Sequence, residues 1–144
     1  MSHCYSFVRV LALSSVFPIV LFTSTPVFAQ TPEQTLAGFK QAALMAEPGF
    51  QGFSAARGEK FFTSVHGNDW SCSTCHGKNP TVLGKHTKTN KVIQPLAPAF
   101  NIERFTDQAK VDKWFKRNCN DVLSRVCTAQ EKGDVLAFLM GFKK

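Results

Sequence analysis

The chain is 144 residues long, with a formal net charge of +7, five cysteines and four histidines. That is one domain's worth of sequence with no internal repeat or linker-like stretch, which excludes a multidomain machine. Its apolar residues alone give a modest core, to which a large buried cofactor would add. The basic excess suits an acidic protein partner, whereas nucleic acid is a poor choice once the N-terminus is read as an export signal.

Arg9 is followed by a mostly apolar run, Val10 to Phe22, that contains a proline and is too short to anchor stably in a bilayer. Small and polar residues then lead to Val27-Phe28-Ala29, a pattern that signal peptidase cuts. These features predict a secretory signal peptide over 1–29, cleaved after Ala29, and a mature domain over 30–144 in the periplasm. An uncleaved N-terminal anchor is the alternative. Cys4 precedes the apolar run and leaves with the signal, so the odd cysteine disappears.

Thr31-Pro32-Glu33-Gln34 reads as a helix start, with Thr31 as N-cap, proline in the first turn and Gln34 completing a capping box. Leu36, Phe39 and Ala43 share a face, and the helix should stop near Glu47, before Pro48-Gly49. A second helix starts at Ser54, with Gly58 and Phe62 one turn apart. Glycine inside a helix costs about 1 kcal/mol against alanine, so Gly58 suggests a close helix crossing. Loop is expected through Cys72–His76 and from Lys78 to Asn101, where Pro95 and Pro98 forbid helix. So long a loop in a compact domain usually wraps something. Lys78, Lys85, Lys88 and Lys91 crowd it, either as a solvated loop or as a docking surface for an acidic redox partner. Thr106 is expected to cap a helix in which Val111, Trp114 and Phe115 fall at i, i+3 and i+4, with Asn118 next in the series. Thr128 to Glu131 is a capping box opening a last helix whose Val135, Leu136 and Leu139 face inward. The fold class expected is all-α.

Chemistry concentrates at Cys72-Ser73-Thr74-Cys75-His76, which fits the C-x-x-C-H signature of covalent haem c attachment. Two thiols at this spacing can form thioethers with the two vinyl groups of one porphyrin, and His76 beside the second anchor becomes the proximal iron ligand. A zinc site would want a second closely spaced pair, and Cys119 and Cys127 are too far apart for a ribbon. A redox dithiol would want a βαβ context that this chain lacks. In an exported protein the leftover pair Cys119 and Cys127 is most simply a disulfide, worth roughly 2.5 kcal/mol on the chain-entropy estimate.

The ligand on the other side of the iron decides the function. Met45 lies upstream of the motif and Met140 within the last helix, neither where an electron-carrying cytochrome places its methionine; His66 and His86 sit among polar loop residues. Asn118 reads from pattern either as a helix C-terminal cap or as an oxygen donor to the iron. Such a neutral oxygen should bind ferric iron weakly and ferrous iron more weakly still.

The run Gly84 to Phe105, then RFTDQAKVDKWFKRNCNDVLSRVC and TAQEKGDVLAFL, resembles the SHP-type oxygen-binding cytochromes and the related cytochrome c″ over nearly the whole mature chain. In that family the residue before the first cysteine of a short disulfide loop is the distal haem ligand, asparagine in SHP and histidine in cytochrome c″. The resemblance therefore implies Asn118 as ligand, a Cys119–Cys127 disulfide, and a class I-like cytochrome c with an extra N-terminal helix and long loops around one covalent haem. It implies that Asn118 leaves the iron on reduction, so that oxygen, nitric oxide or carbon monoxide can bind. It also implies a dihaem cytochrome c or a membrane cytochrome b as electron source. A plain six-coordinate electron carrier using His66, His86 or Met140, and a redox or gas sensor, are the competing classes.

Overall fold

The computed structural model describes residues 30–144; the expected signal peptide over 1–29 lies outside the described residues. Five helices and a minimal hairpin follow one another: α1 (Pro32–Ala46), α2 (Ala55–Thr63), α3 (Cys72–His76), β1 (Gly84–Lys85), β2 (Val92–Ile93), α4 (Gln108–Leu123) and α5 (Ala129–Met140). The all-α expectation holds, with two two-residue strands inside the expected long loop. Among the described residues no helix is long and apolar enough to cross a membrane.

Local chemistry sets the helix starts. Thr31 accepts from the Gln34 N–H at 3.2 Å while the Gln34 side chain accepts from the Thr31 N–H at 2.8 Å. Thr128 and Glu131 repeat this reciprocal pair at the start of α5, at 3.2 and 2.8 Å. Ser54 accepts from the Arg57 N–H at 3.3 Å to open α2. Each cap contributes about 1 kcal/mol.

The core forms around α5, whose Val135, Leu136, Phe138 and Leu139 are all buried. Phe62 of α2 packs against Val135, Phe138 and Leu139, and Phe39 of α1 clusters with Leu136 and Val111. Burying a side chain such as Phe62 or Leu136 fully is worth about 2 kcal/mol. α2 and α5 touch at Gly58, where any Cβ would overlap the backbone carbonyl of Asp134. The close crossing expected from the sequence is therefore real.

Asp134 itself is buried and serves the N-terminus of α2. Its carboxylate accepts from the Ser54 N–H at 2.6 Å and from the Arg57 guanidinium at 2.8 and 2.9 Å. Asp134→Ala should lose about 3 kcal/mol in urea unfolding of the holoprotein, because it strips three hydrogen bonds from one buried carboxylate and leaves Ser54 without its acceptor. Arg57 is half exposed and can be resolvated, which keeps the loss from being larger. Asp134→Asn, which keeps one acceptor oxygen, should lose less.

α4 departs from expectation at both ends. Its N-cap is Asp107, which accepts from the Lys110 N–H at 3.0 Å, while Thr106 donates to the Glu103 carbonyl at 2.9 Å and closes the preceding turn. The helix does not stop near Asn118 but runs to Leu123, with Ser124 as a left-handed C-cap at φ 60°. The apolar series also divides. Val111, Cys119 and Val122 are buried and Phe115 packs edge-on against Phe39 at 5.6 Å, whereas Trp114 and Asn118 share a separate, exposed face. Asn118 is thus no helix cap.

Candidate functional site

The C-x-x-C-H segment is helical, where loop was expected. Ser71, buried, accepts from the Thr74 N–H at 3.0 Å, and the Thr74 hydroxyl accepts from the Ser71 N–H at 2.9 Å, making a capping box with threonine in the place of glutamate. One helical turn puts Cys72 and Cys75 at i and i+3 and His76 at i+4 from Cys72, so all three project from neighbouring positions on one face. Spacing and helix together turn a linear motif into a three-point attachment.

The protein holds this turn firmly. The His76 ring lies 6.3 Å from the ring of Phe62, the fully buried centre of the α2–α5 interface. Burial pushes the His76 imidazole down to about 4, and the nearby charges of Arg104 and His86 push the same way. His76 is therefore neutral at physiological pH and keeps a nitrogen lone pair for a metal. Burial likewise pushes the Cys72 thiol up to about 11, with Cys75 adding to the rise.

Arg104 is the residue that sequence reading missed. It donates to the Gln94 carbonyl at 2.7 Å and the Pro95 carbonyl at 2.9 Å, pinning the loop after β2. It is half-buried, its pKa lowered by burial, and among the described residues it forms no ion pair with a carboxylate. A half-buried guanidinium of this kind calls for an anion.

Asn118 stands exposed on α4, one turn after the half-exposed Trp114, and among the described residues its amide makes no hydrogen bond. Cys119 and Cys127 are joined, Cα to Cα 5.6 Å, across the C-terminal turn of α4. Arg125 in the intervening loop donates to both Glu131 oxygens at 2.8 and 2.6 Å, fastening the loop to α5. A second tie joins the end of α4 to the residues before the motif: Asn68 donates to the Asp121 carbonyl at 2.8 Å and accepts from the Ser124 hydroxyl at 2.9 Å. The helix carrying Asn118 is thereby positioned against the chain that leads into Cys72.

Of the other candidates for a distal ligand, His66, His86 and Met140 are engaged elsewhere and Met45 faces solvent. The His66 Nε2 is hydrogen-bonded to the Phe61 carbonyl at 2.8 Å. His86 Nδ1 accepts from the Lys88 and Thr89 N–H groups at 3.2 and 3.4 Å. Met140 packs into the α1–α5 cluster, and Met45 is 82% exposed on α1.

Residues 48–139 match a family model described as a domain of unknown function, DUF1924. The chain is 44% identical to the cytochrome c-type protein SHP of Cereibacter sphaeroides, over 76% of this chain and 82% of that one. It is 31% identical to cytochrome c″ of Methylophilus methylotrophus, over 92% and 94% of the two chains. A solved structure of oxidised SHP, described as an oxygen-binding cytochrome c, superposes with a TM-score of 0.68 at 42% identity and covers 78% of this chain and 97% of that one.

A helical domain built around a C-x-x-C-H turn with a neutral, half-buried histidine defines a c-type cytochrome. Within that class, the chain belongs to the family of SHP and cytochrome c″. Members of this family carry a single covalently bound haem c. The residues present fit that group: two thiols and an imidazole lie on one turn, and an unpaired guanidinium near His76 matches the carboxylate of a propionate.

Proposed function

We propose that this chain is a periplasmic monohaem cytochrome c that exchanges electrons with another cytochrome, and whose Asn118 leaves the iron on reduction so that oxygen, nitric oxide or carbon monoxide can bind. On this reading residues 1–29 are removed as a signal peptide and 30–144 form the haem domain. Cys72 and Cys75 attach the haem, His76 is the proximal ligand, Asn118 the distal one, and Arg104 balances a propionate. Bound haem supplies a one-electron iron centre with two axial positions.

The observation that carries the reading is the uncommitted amide of Asn118, exposed on α4 immediately before Cys119. A neutral amide oxygen is a weak donor, weakest toward ferrous iron. No hydrogen bond among the described residues holds the side chain, so Asn118 would be free to leave a haem iron without breaking one. The disulfide and the Asn68–Ser124 tie restrain the backbone around residue 118, so any such release would be a side-chain rotation. The Asn118 amide would then have two N–H donors available to a bound diatomic. The SHP relative, described as an oxygen-binding cytochrome c, supports the gas class.

The test is the optical spectrum of the purified holoprotein, oxidised and reduced, with and without carbon monoxide, beside that of Asn118→Ala. The reduced protein should be high-spin and shift on adding carbon monoxide, and the mutation should alter the ferric spectrum. Oxygen should leave Asn118→Ala roughly five- to tenfold faster, the value of one lost hydrogen bond of about 1 kcal/mol. A low-spin ferrous spectrum indifferent to carbon monoxide, or an unchanged dissociation rate, would sink the assignment.

A further inference from the structure

Electrons must reach this haem, and one surface is built to admit them. From Trp70 to Ile102 the chain contains four lysines, Lys78, Lys85, Lys88 and Lys91, and no acidic residue. All four are exposed. The hairpin pairs Gly84 with Ile93 and Lys85 with Val92. Residues opposite one another in an antiparallel ladder share a side, and successive residues alternate sides. The Gly84 side is pressed onto α3, where any Cβ would overlap the Cys75 carbonyl. Lys85 and Val92 therefore face away from α3, and Val92 is 65% exposed.

The turn between the strands completes the surface. It is closed by His86 N–H to Lys91 C=O at 2.9 Å and Asn90 N–H to His86 C=O at 2.8 Å, and it holds Lys88, whose Nζ lies 4.8 Å from the Trp70 ring centre. Thr87 Oγ1 lies 3.2 Å from Cys75 Sγ, so the turn covers the second haem-attaching sulfur. Val82 and Leu83, both more than half exposed, precede β1. The result is an apolar centre with a lysine rim, separated from Cys75 by the thickness of one hairpin.

We propose that the outer face of this hairpin, Val92 with Lys85, with Lys88 and Lys91 at the edge formed by its turn and with Val82 and Leu83 beside it, is the docking site for an acidic redox protein that exchanges electrons with the haem. The proposal rests on the reading of Cys75 as a haem anchor, because a haem attached there would be held next to the hairpin turn that contacts the Cys75 sulfur. One electron passes, the partner is oxidised by one and this protein reduced by one, and no bond or proton is transferred. The lysines outnumber the acids around them, with Asp69 and Glu103 flanking the segment and Asp121 lining the same cleft as Lys88, so they attract an acidic face and speed encounter, and the apolar centre fixes the encountered pose by releasing water. The other basic element, α4, is a poorer candidate. Its Lys110, Lys113 and Lys116 stand among Asp107 and Asp112, and Lys110 pairs with Asp107 at 3.5 Å.

The test uses ferric holoprotein and reduced flavodoxin as an acidic electron-donating probe, mixed by stopped flow at low and high salt. Lys85→Glu, Lys88→Glu and Lys91→Glu together should slow reduction at least tenfold at low salt and abolish its salt dependence. The same charge change on α4, Lys110→Glu with Lys113→Glu and Lys116→Glu, should slow it no more than two- to threefold. Val92→Ser should slow it several-fold at every salt concentration. Equal slowing by the two triple variants would mean that net charge alone governs the rate, and would overturn the proposal, as would a hairpin variant that reacts normally. Carbon monoxide spectra of the same samples read the gas site separately, so a failure there leaves the docking rates interpretable.

Discussion

Gly58→Ala is expected to cost more than 3 kcal/mol of stability, although it exchanges glycine for the best helix former. In an open helical position the change should help by up to about 1 kcal/mol. Gly38 in α1 has nothing within 4 Å of its added Cβ and is the internal control, expected to gain stability. At position 58 the new methyl would occupy the space of the Asp134 carbonyl, a backbone atom of α5 that cannot rotate away. α2 must then draw back from α5, loosening the Asp134 bonds to Ser54 and Arg57 together with the packing of Phe62 on Phe138, whose rings lie 5.5 Å apart. Interiors packed at crystal density absorb such a shift poorly, and overpacking alone costs about 1–3 kcal/mol before the polar losses are added. Because Phe62 also touches His76, the ferric spectrum should change as well. A urea midpoint within 1 kcal/mol of wild type, with an unaltered spectrum, would show that the crossing is soft.

What the sequence made legible follows from the range of the interactions. The starts of α1, α2 and α5 rest on a residue and its third neighbour, and Thr31, Ser54 and Thr128 all cap as their motifs imply. Cys72, Cys75 and His76, proposed to hold the haem, fall within five residues and need no fold to assemble them. The helix at Cys72–His76 escaped because Thr74 takes the place usually held by glutamate in a capping box. The start of α4 slipped by one residue because Thr106 and Asp107 are both good caps, and the choice was made by Thr106 bonding backward to Glu103. Its end was hidden because Cys119, read as chemistry, also packs in the buried stripe with Val111 and Val122. Arg57–Asp134 and Asn68–Ser124 join residues 77 and 56 apart and leave no local signature. Arg104 was invisible for a different reason: its marked feature is a half-buried charge that forms no ion pair among the described residues, and burial does not show in a sequence.

Cys72→Ser combined with Cys75→Ser should abolish covalent haem. On a denaturing gel stained for haem peroxidase activity, the wild type should carry the stain at its polypeptide band and the double variant should carry none. Each single variant should keep one thioether and give a pyridine haemochrome displaced from that of the wild type, since one vinyl group remains unreacted. The fold itself should suffer next. A bound group that favours the native state stabilises by mass action, and a covalent one cannot be diluted away, so the variant chain loses that contribution permanently. Cys119→Ser with Cys127→Ser is the matched control, since it also removes two sulfurs but from the far end of α4. It should keep the haem stain and lose roughly 2.5 kcal/mol, the entropy of a short closed loop. Haem that survived denaturation in the Cys72 and Cys75 double variant would refute their role as anchors. Haem lost instead from the Cys119 and Cys127 variant would move the attachment to α4, and with it the roles of His76 and Asn118.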